Sequence, residues 1–316
     1  MKLCPLCNKT DLSPLYSDIE KNCRIYEVLY CPACQTGITK PFPDKEELDA
    51  LYSSETYRAH DKRFIGPIEG IIKSFRGFRL RSIERYSHNK GSILDIGCGR
   101  GLFLSLAKER GWMPYGVELN EETAYNAKEV LGMDIRTGEL KDAGFEEGSI
   151  DVISIWHVLE HLTRPIEALR ECRRILRPNG LLVLSVPNLS SIQSHSSGKH
   201  WFHLDVPYHL YHFSKEGIIK LLEESGFKIL DIGHYSCEYG PFGMLQSILN
   251  KAGIRHNLLY DTLKTKDIRG GLRRHLKDYV IMASSMPFVF ITSIILTIIE
   301  SLMGKGGSIE IYAKKT

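Results

Sequence analysis

The sequence has 316 residues, 43% hydrophobic and 25% charged, enough for one α/β domain with a full core and a small appendage. A formal charge of +3 is too small to argue for a nucleic-acid partner. No apolar signal segment follows Met1, so the chain is read as cytoplasmic and its eight cysteines are not read as a disulfide framework.

The first element is a pair of C-x-x-C turns, Cys4-Pro-Leu-Cys7 and Cys31-Pro-Ala-Cys34, separated by about 23 residues. Each turn aims two sulfurs at one point, and two such turns read as a closed four-thiolate zinc site that staples a hairpin too small for its own core. With all four positions filled by protein, the metal is structural. The alternative is a redox dithiol, which needs only one pair and normally opens a helix of a βαβ unit. Ile25, Val28 and Leu29 give the hairpin some strand-like apolar surface. The scattered Cys23, Cys98, Cys172 and Cys237 read as small buried hydrophobes. Residues 1–44 form this knuckle.

Residues 45–90 read as a helical lid. Ile68, Ile71, Ile72, Phe75 and Ile83 have helical spacing, with Tyr52 and Tyr57 near the mouth of the site, and ordinary core packing explains the apolar stripe equally well. From residue 91 strands and helices alternate. Ser92–Ile96, Tyr115–Glu118, Ile150–Ile155 and Leu181–Val186 read as strands. Leu102–Arg110, Glu121–Leu131, Ile166–Leu176 and Ser214–Gly226 read as helices, the last capped by Ser214 and stopped by Gly226. The alternation predicts a doubly wound parallel sheet with its ligand at the carboxyl ends of the strands.

The sharpest signal is Asp95-Ile-Gly97-Cys98-Gly99-Arg100-Gly101. Its glycines permit a tight turn and close ligand approach, and a helix follows at once. About 20 residues on, Glu118 ends the second strand, where a carboxylate can accept from two ribose hydroxyls. Then come Thr137-Gly138-Glu139-Leu140, Gly148-Ser-Ile-Asp151, Val158-Leu159-Glu160-His161-Leu162 and Arg177-Pro178-Asn179-Gly180. In this order the motifs resemble the class I S-adenosylmethionine-dependent methyltransferases over residues 90–235 and the last strand.

The resemblance implies a Rossmann-like seven-stranded sheet whose last strand is antiparallel, with Lys228–Tyr235 and Ser308–Tyr312 as the final hairpin. It implies that Asp95, Gly97, Gly99 and Gly101 line the methionine part of S-adenosylmethionine. Glu118 would hold the ribose, Leu119 would press on the adenine face, and Glu139 and Leu140 would sit at the adenine edge. It further implies an acceptor like those of similar zinc-knuckle enzymes, a nucleotide-linked sugar methylated at oxygen or carbon.

Methyl transfer to a hydroxyl or carbon acid needs a base. His157, Glu160 and His161 follow the fourth strand, and as the start of a helix they would share one face, with Glu160 fixing a histidine tautomer, the alternative being that Glu160 and His161 only cap and pack the loop. The loop 200–213 is dense in histidine and aromatics. His203, Tyr208, His209 and His212 are candidate acceptor-binding residues, a packed loop being the bland alternative and a second metal site the remote one.

Residues 240–305 form a helical insertion before the last strand at 306–316. Within it, Lys251, Arg255, Lys264, Lys266, Arg269, Arg273, Arg274 and Lys277 stand against Asp261 and Asp267. The uncharged run Tyr279–Ile299 follows, 21 residues that as a helix could cross about 30 Å of hydrocarbon. A single span would strand the last strand on the wrong side, and Pro287, with Ser284, Ser285, Thr292 and Ser293, points to a broken or interfacial helix. A monotopic contact through 251–303 with the inner face of the cell membrane is therefore expected, a homodimer interface or a true span being the alternatives.

The sequence thus reads as a methyltransferase of a small or lipid-linked acceptor, such as a cell-surface polysaccharide precursor. A protein or RNA methyltransferase is disfavoured by Asp11, Asp18, Glu20 and Glu27 on the knuckle. A catalytically inactive membrane-bound scaffold is disfavoured by the intact glycine turn and Glu118.

Overall fold

The computed structural model describes residues 3–21, 23–44, 46–48, 67–87, 90–264, 271 and 273–316. Three strands open the chain, β1 (Ser13–Lys21), β2 (Arg24–Cys31) and β3 (Thr36–Lys40), followed by α1 (Pro67–Tyr86). An alternating series comes next: β4 (Ser92–Ile96), α2 (Leu102–Glu109), β5 (Met113–Glu118), α3 (Glu121–Leu131), β6 (Asp134–Thr137), β7 (Ile150–Trp156), α4 (Pro165–Ile175) and β8 (Leu176–Pro187). The remaining elements are α5 (Ile192–Ser197), β9 (Tyr211–Phe213), α6 (Lys215–Glu224), β10 (Phe227–Gly233), α7 (Gly240–Lys251), α8 (Leu258–Lys264), α9 (Leu276–Leu302) and β11 (Ser308–Lys315). They fall into two compact units.

One unit draws on 63–186, 218–233 and 310–316 and holds a seven-stranded sheet in the order β10-β11-β8-β7-β4-β5-β6. Strands β4, β5, β6, β7 and β8 are parallel, and β11 lies antiparallel to β10, with Phe227 opposite Lys315 and Gly233 opposite Glu310. The central strands are buried and mostly apolar because helices cover both faces. Every residue of β4 is buried, as is the run from Gly180 to Pro187 in β8. Leu80 and Ile83 of α1 and Phe103, Leu104 and Ala107 of α2 pack with Ile93, Val152, Leu181 and Val183 in one core. Local chemistry sets the helix ends. The Asn120 side chain accepts from the Thr123 N–H at α3, and Gly132 closes that helix at φ 57°.

The strand order places β4 between β5 and β7, so the chain leaves β4 in opposite directions. That switch point opens a crevice at the carboxyl ends of these three strands.

The other unit gathers the described residues before 63 with 187–217 and 234–309. The knuckle hairpin is not closed on itself. Strand β3 pairs on its free edge with β9, Thr36 opposite Phe213 and Ile38 opposite Tyr211, giving a four-stranded antiparallel sheet β1-β2-β3-β9. Val28 and Leu29 are buried as expected, but Ile25 is exposed. Tyr26, Val28, Leu189, Trp201, Leu204 and Val206 form one core, and Leu245, Leu249, Ile254, Leu258, Met282 and Val289 a second, joining α7, α8 and α9.

Several expectations differ from the structure. Cys98 and Cys172 are buried, whereas Cys23 and Cys237 are exposed, each standing where no core face reaches it. Segment 157–162 does not begin an α-helix; only Leu159–His161 make a short 3-10 turn. Tyr52, Tyr57, Lys266 and Arg269 lie outside the described residues, as do the side chains of Ile68, Ile71 and Ile72.

Candidate functional site

Three loops meet at the switch point: the glycine turn after β4, the Glu118 turn after β5, and the His157 turn after β7. Asp95, near the end of β4, is 3% exposed and accepts a hydrogen bond from Ser154 Oγ at 2.6 Å. Burial pushes its carboxyl up to about 6, against the Ser154 bond and the charges of Arg76 and Arg79 on α1. Arg79 is itself buried, its guanidinium 4.5 Å from the centre of the Trp156 ring.

The turn itself is built on left-handed glycines, Gly97, Gly99 and Gly101. Gly97 sits at φ +70°, and a Cβ there would lie 2.5 Å from Val158. No other residue satisfies both the torsion and the space. Gly99, at φ +52°, has no atom within 4 Å of where a Cβ would stand, so its backbone faces open space where a ligand can approach. Its N–H donates to Glu118 Oε2 at 2.9 Å, while the Asn120 N–H donates to Oε1 at 3.0 Å. The Glu118 carboxylate is thereby clamped by backbone on both oxygens, with lone pairs still available on each.

Leu119 beside it is 55% exposed, an apolar side chain held outward at the mouth of the crevice. At the end of β6 the Gly138 N–H donates to the Glu118 carbonyl at 3.0 Å, tying the third loop in. Leu140 is buried. Glu139 is exposed, with its carboxylate 3.0 Å from Lys141 Nζ.

After β7, His157 adopts a left-handed φ of 53°, uncommon for a residue other than glycine and costly unless the surroundings enforce it. Its N–H donates to the Ser185 carbonyl at 2.9 Å, and its ring is braced on both sides. Nε2 lies 3.3 Å from Ser185 Oγ and Nδ1 3.3 Å from Glu160 Oε1. Glu160 is 1% exposed, and the His161 ring lies within 4.8 Å of its carboxylate. A buried carboxylate thus stands between two imidazoles, one half-buried and braced, the other at the edge of the turn. Such an arrangement can fix a tautomer and hold a proton.

A profile of the methyltransferase domain matches residues 73–232, half of the chain. The chain belongs to the methyltransferase domain family. It is 28% identical over 172 residues to a probable S-adenosylmethionine-dependent methyltransferase of Mycolicibacterium smegmatis, covering 52% of this chain and 64% of that one. A ubiquinone biosynthesis O-methyltransferase of Xanthomonas campestris is 29% identical over 102 residues, 30% of this chain and 43% of that one. The chain therefore matches less than two thirds of the length of either relative. Among solved structures, a SAM-dependent methyltransferase of Archaeoglobus fulgidus aligns with a TM-score of 0.50 and 23% identity, covering 82% of this chain and 99% of that one. The cyclase SpnF aligns at 0.53 with 14% identity over 87% and 98%. Shared fold alone does not choose the reaction, and the site must.

Within this family member, Arg76, Arg79, Ser154 and Ser185 are site-supporting residues that the sequence reading did not single out. A signal existed for the arginines, which fall on the α1 face marked by Ile83.

The second unit carries the cysteine cluster. The sulfurs of Cys4, Cys7, Cys31 and Cys34 lie within 4.8 Å of one another, with Cys4–Cys34 at 3.6 Å and Cys7–Cys31 at 3.5 Å. A zinc–sulfur bond of about 2.3 Å requires sulfurs about 3.8 Å apart in a tetrahedron, so the donor set fits. Asn8 and Gln35, each following the second cysteine of its turn, are both left-handed, at φ 57° and 53°, so the two turns share one shape. The Cys4 thiol is held well below its usual range because it accepts from Cys34.

The histidine loop is also in this unit. His203, His209 and His212 are buried, and Tyr208 is half-buried. His209 Nδ1 lies 2.8 Å from the His203 carbonyl, and His203 Nε2 3.3 Å from the Tyr239 carbonyl. His212 Nε2 lies 3.0 Å from Thr39 Oγ1, and burial pushes this imidazole down to about 3. His212 belongs to β9 and faces the sheet's interior.

Proposed function

We propose that the chain transfers the methyl group of S-adenosylmethionine to a hydroxyl or acidic carbon of a small or lipid-linked acceptor, such as a sugar of a polysaccharide precursor. The observation that carries this reading is the Glu118 carboxylate, clamped by the Gly99 and Asn120 N–H groups beside an open glycine turn. Glu118 accepts from the two ribose hydroxyls, and Leu119 covers one adenine face. Leu140 and Glu139 stand at the adenine edge, where Glu139 exchanges its Lys141 partner for the ligand. Asp95, Gly97, Gly99 and Gly101 take the methionine end.

In the reaction the acceptor oxygen or carbon forms a bond to the methyl carbon as the carbon–sulfur bond breaks, and sulfur keeps the electron pair. The acceptor's proton goes to His161, oriented by Glu160, while His157 keeps that carboxylate in place. The O-methyltransferase relative supports an oxygen acceptor. Zinc bound by Cys4, Cys7, Cys31 and Cys34 stabilises the knuckle and takes no part in the chemistry.

The test is incubation of the chain with methyl-labelled cofactor and separated pools of nucleotide sugars, membrane lipids, RNA and protein. Label entering sugar or lipid supports the proposal; label entering only RNA or protein overturns the acceptor class.

A further inference from the structure

Helix α9 is inverted in polarity. Its buried side carries Met282, Val289, Ser293, Thr297 and Glu300, and towards the C-terminal end that side is entirely polar. Glu300 is fully buried, with Oε1 accepting from Gln193 Nε2 at 2.7 Å and from the Gly307 N–H at 3.1 Å. Helix α7 lies against this side, with Leu245 and Leu249 in one cluster with Met282 and Val289, and a Cβ on Gly240 would stand 2.8 Å from Thr297.

The outward side is the reverse. Ile281, Ser284, Phe288, Ile291, Ile295, Ile298 and Leu302 repeat at alternating three- and four-residue steps and are all exposed, Phe288 at 75% and Leu302 at 84%. In water this is the wrong way round, because a soluble helix hides its apolar stripe. A helix beside lipid turns small and polar residues inward and large apolar ones outward.

We propose that the outer face of α9 docks in the plane of an anionic lipid bilayer. Charge complementarity supports this: Arg273, Arg274 and Lys277 are exposed where the helix begins, and Lys251 is exposed on the same insertion. Met282, Val289 and Thr297 lie against α7 and Glu300 against Gln193 and Gly307, while among the described residues the other side of α9 is uncovered, so that face can take lipid and the helix lie in the interface instead of crossing it. A second copy of the chain fits less well. The alternating steps would suit a helical seam, but soluble seams are flanked by charged residues. Here the flanks are Ser285, Thr292 and Ile299 on one side and Val280, Pro287 and Ile294 on the other, none of them charged.

The probe is a set of vesicles made of phosphatidylcholine, alone or mixed with phosphatidylglycerol, and the assay is flotation of the full chain. The chain should float with the mixed vesicles and not with the neutral ones, and binding should weaken as salt shortens the Debye length to about 3 Å. Replacing Ile291, Ile295 and Ile298 together by serine, all at exposed positions, should cut the bound fraction at least tenfold while circular dichroism and metal content stay unchanged. On the otherwise native chain, Phe288→Trp fluorescence should be quenched by lipids brominated on their acyl chains. A chain that stays out of both vesicle types overturns docking. So does a soluble dimer that the serine variant turns into a monomer, since the same face would then be covered by a second copy.

Discussion

Replacing Glu118 by alanine isolates the contribution of the clamped carboxylate. In the free chain its two oxygens each take one backbone N–H, at 2.9 and 3.0 Å, so the group is already oriented before ligand arrives and no rotamer entropy is lost on binding. In the proposed binding mode each ribose hydroxyl would then make a hydrogen bond to a charged acceptor, worth about 1.5–3 kcal/mol. Truncation removes both, and water filling the space returns part of that, leaving a loss of about 3 kcal/mol or roughly 10²-fold in affinity. Glu118→Gln keeps one acceptor oxygen and loses the charge, so it should weaken binding by about tenfold. The Gly99 and Asn120 N–H groups, left to water in a half-exposed turn, should cost about 1 kcal/mol of stability in the alanine variant. Calorimetry with S-adenosylhomocysteine and a thermal melt of the same samples give both quantities. Unchanged affinity in both variants would refute the ribose assignment, and a lost melt would mean that Glu118 serves the fold.

Elemental analysis of the purified chain should find one zinc, and Cys31→Ser should abolish it and lower the melting temperature of the cysteine unit before that of the parallel sheet. His161→Ala should leave cofactor affinity intact and lower turnover by about 10²–10⁴-fold, with His157→Ala acting in the same direction through Glu160; full activity in both would place the base elsewhere. Asp95 has its pKa raised from 3.8 to about 6 on folding, so the native state binds the extra proton and stability falls as pH rises from about 4 to 6. Above pH 6 the ionised group should cost about 3 kcal/mol, and Asp95→Asn should raise the melting temperature there while removing cofactor binding; a variant no more stable than the native chain at neutral pH would contradict this.

The parallel sheet was legible because its signals are local. Apolar runs such as Leu181–Val186, the Ser214 cap before α6 and the glycine turn each fix their own stretch of chain, and their order fixes the topology. The cysteine pairs were legible for the same reason, since each turn carries both of its ligands. What escaped depends on partners far along the chain. The knuckle's fourth strand comes from 211–213, which looked like part of an irregular loop because three residues carry no period. The left-handed turn at His157 is imposed by Ser185 and Glu160, and no side-chain pattern announces it. Arg79 lies under Asp95 because α1 packs on the sheet, and an arginine at an apolar helical position was read past. The uncharged run of α9 was evident, but its inverted polarity appears only once α7 shows which side is buried.

The most direct test of the account is a crystal structure of the chain with S-adenosylhomocysteine. The ligand should lie at the carboxyl ends of β4, β5 and β7, its ribose hydroxyls on Glu118, its adenine against Leu119, and its sulfur turned toward His157 and His161. A ligand bound elsewhere, or one whose sulfur faces away from that histidine turn, would contradict it.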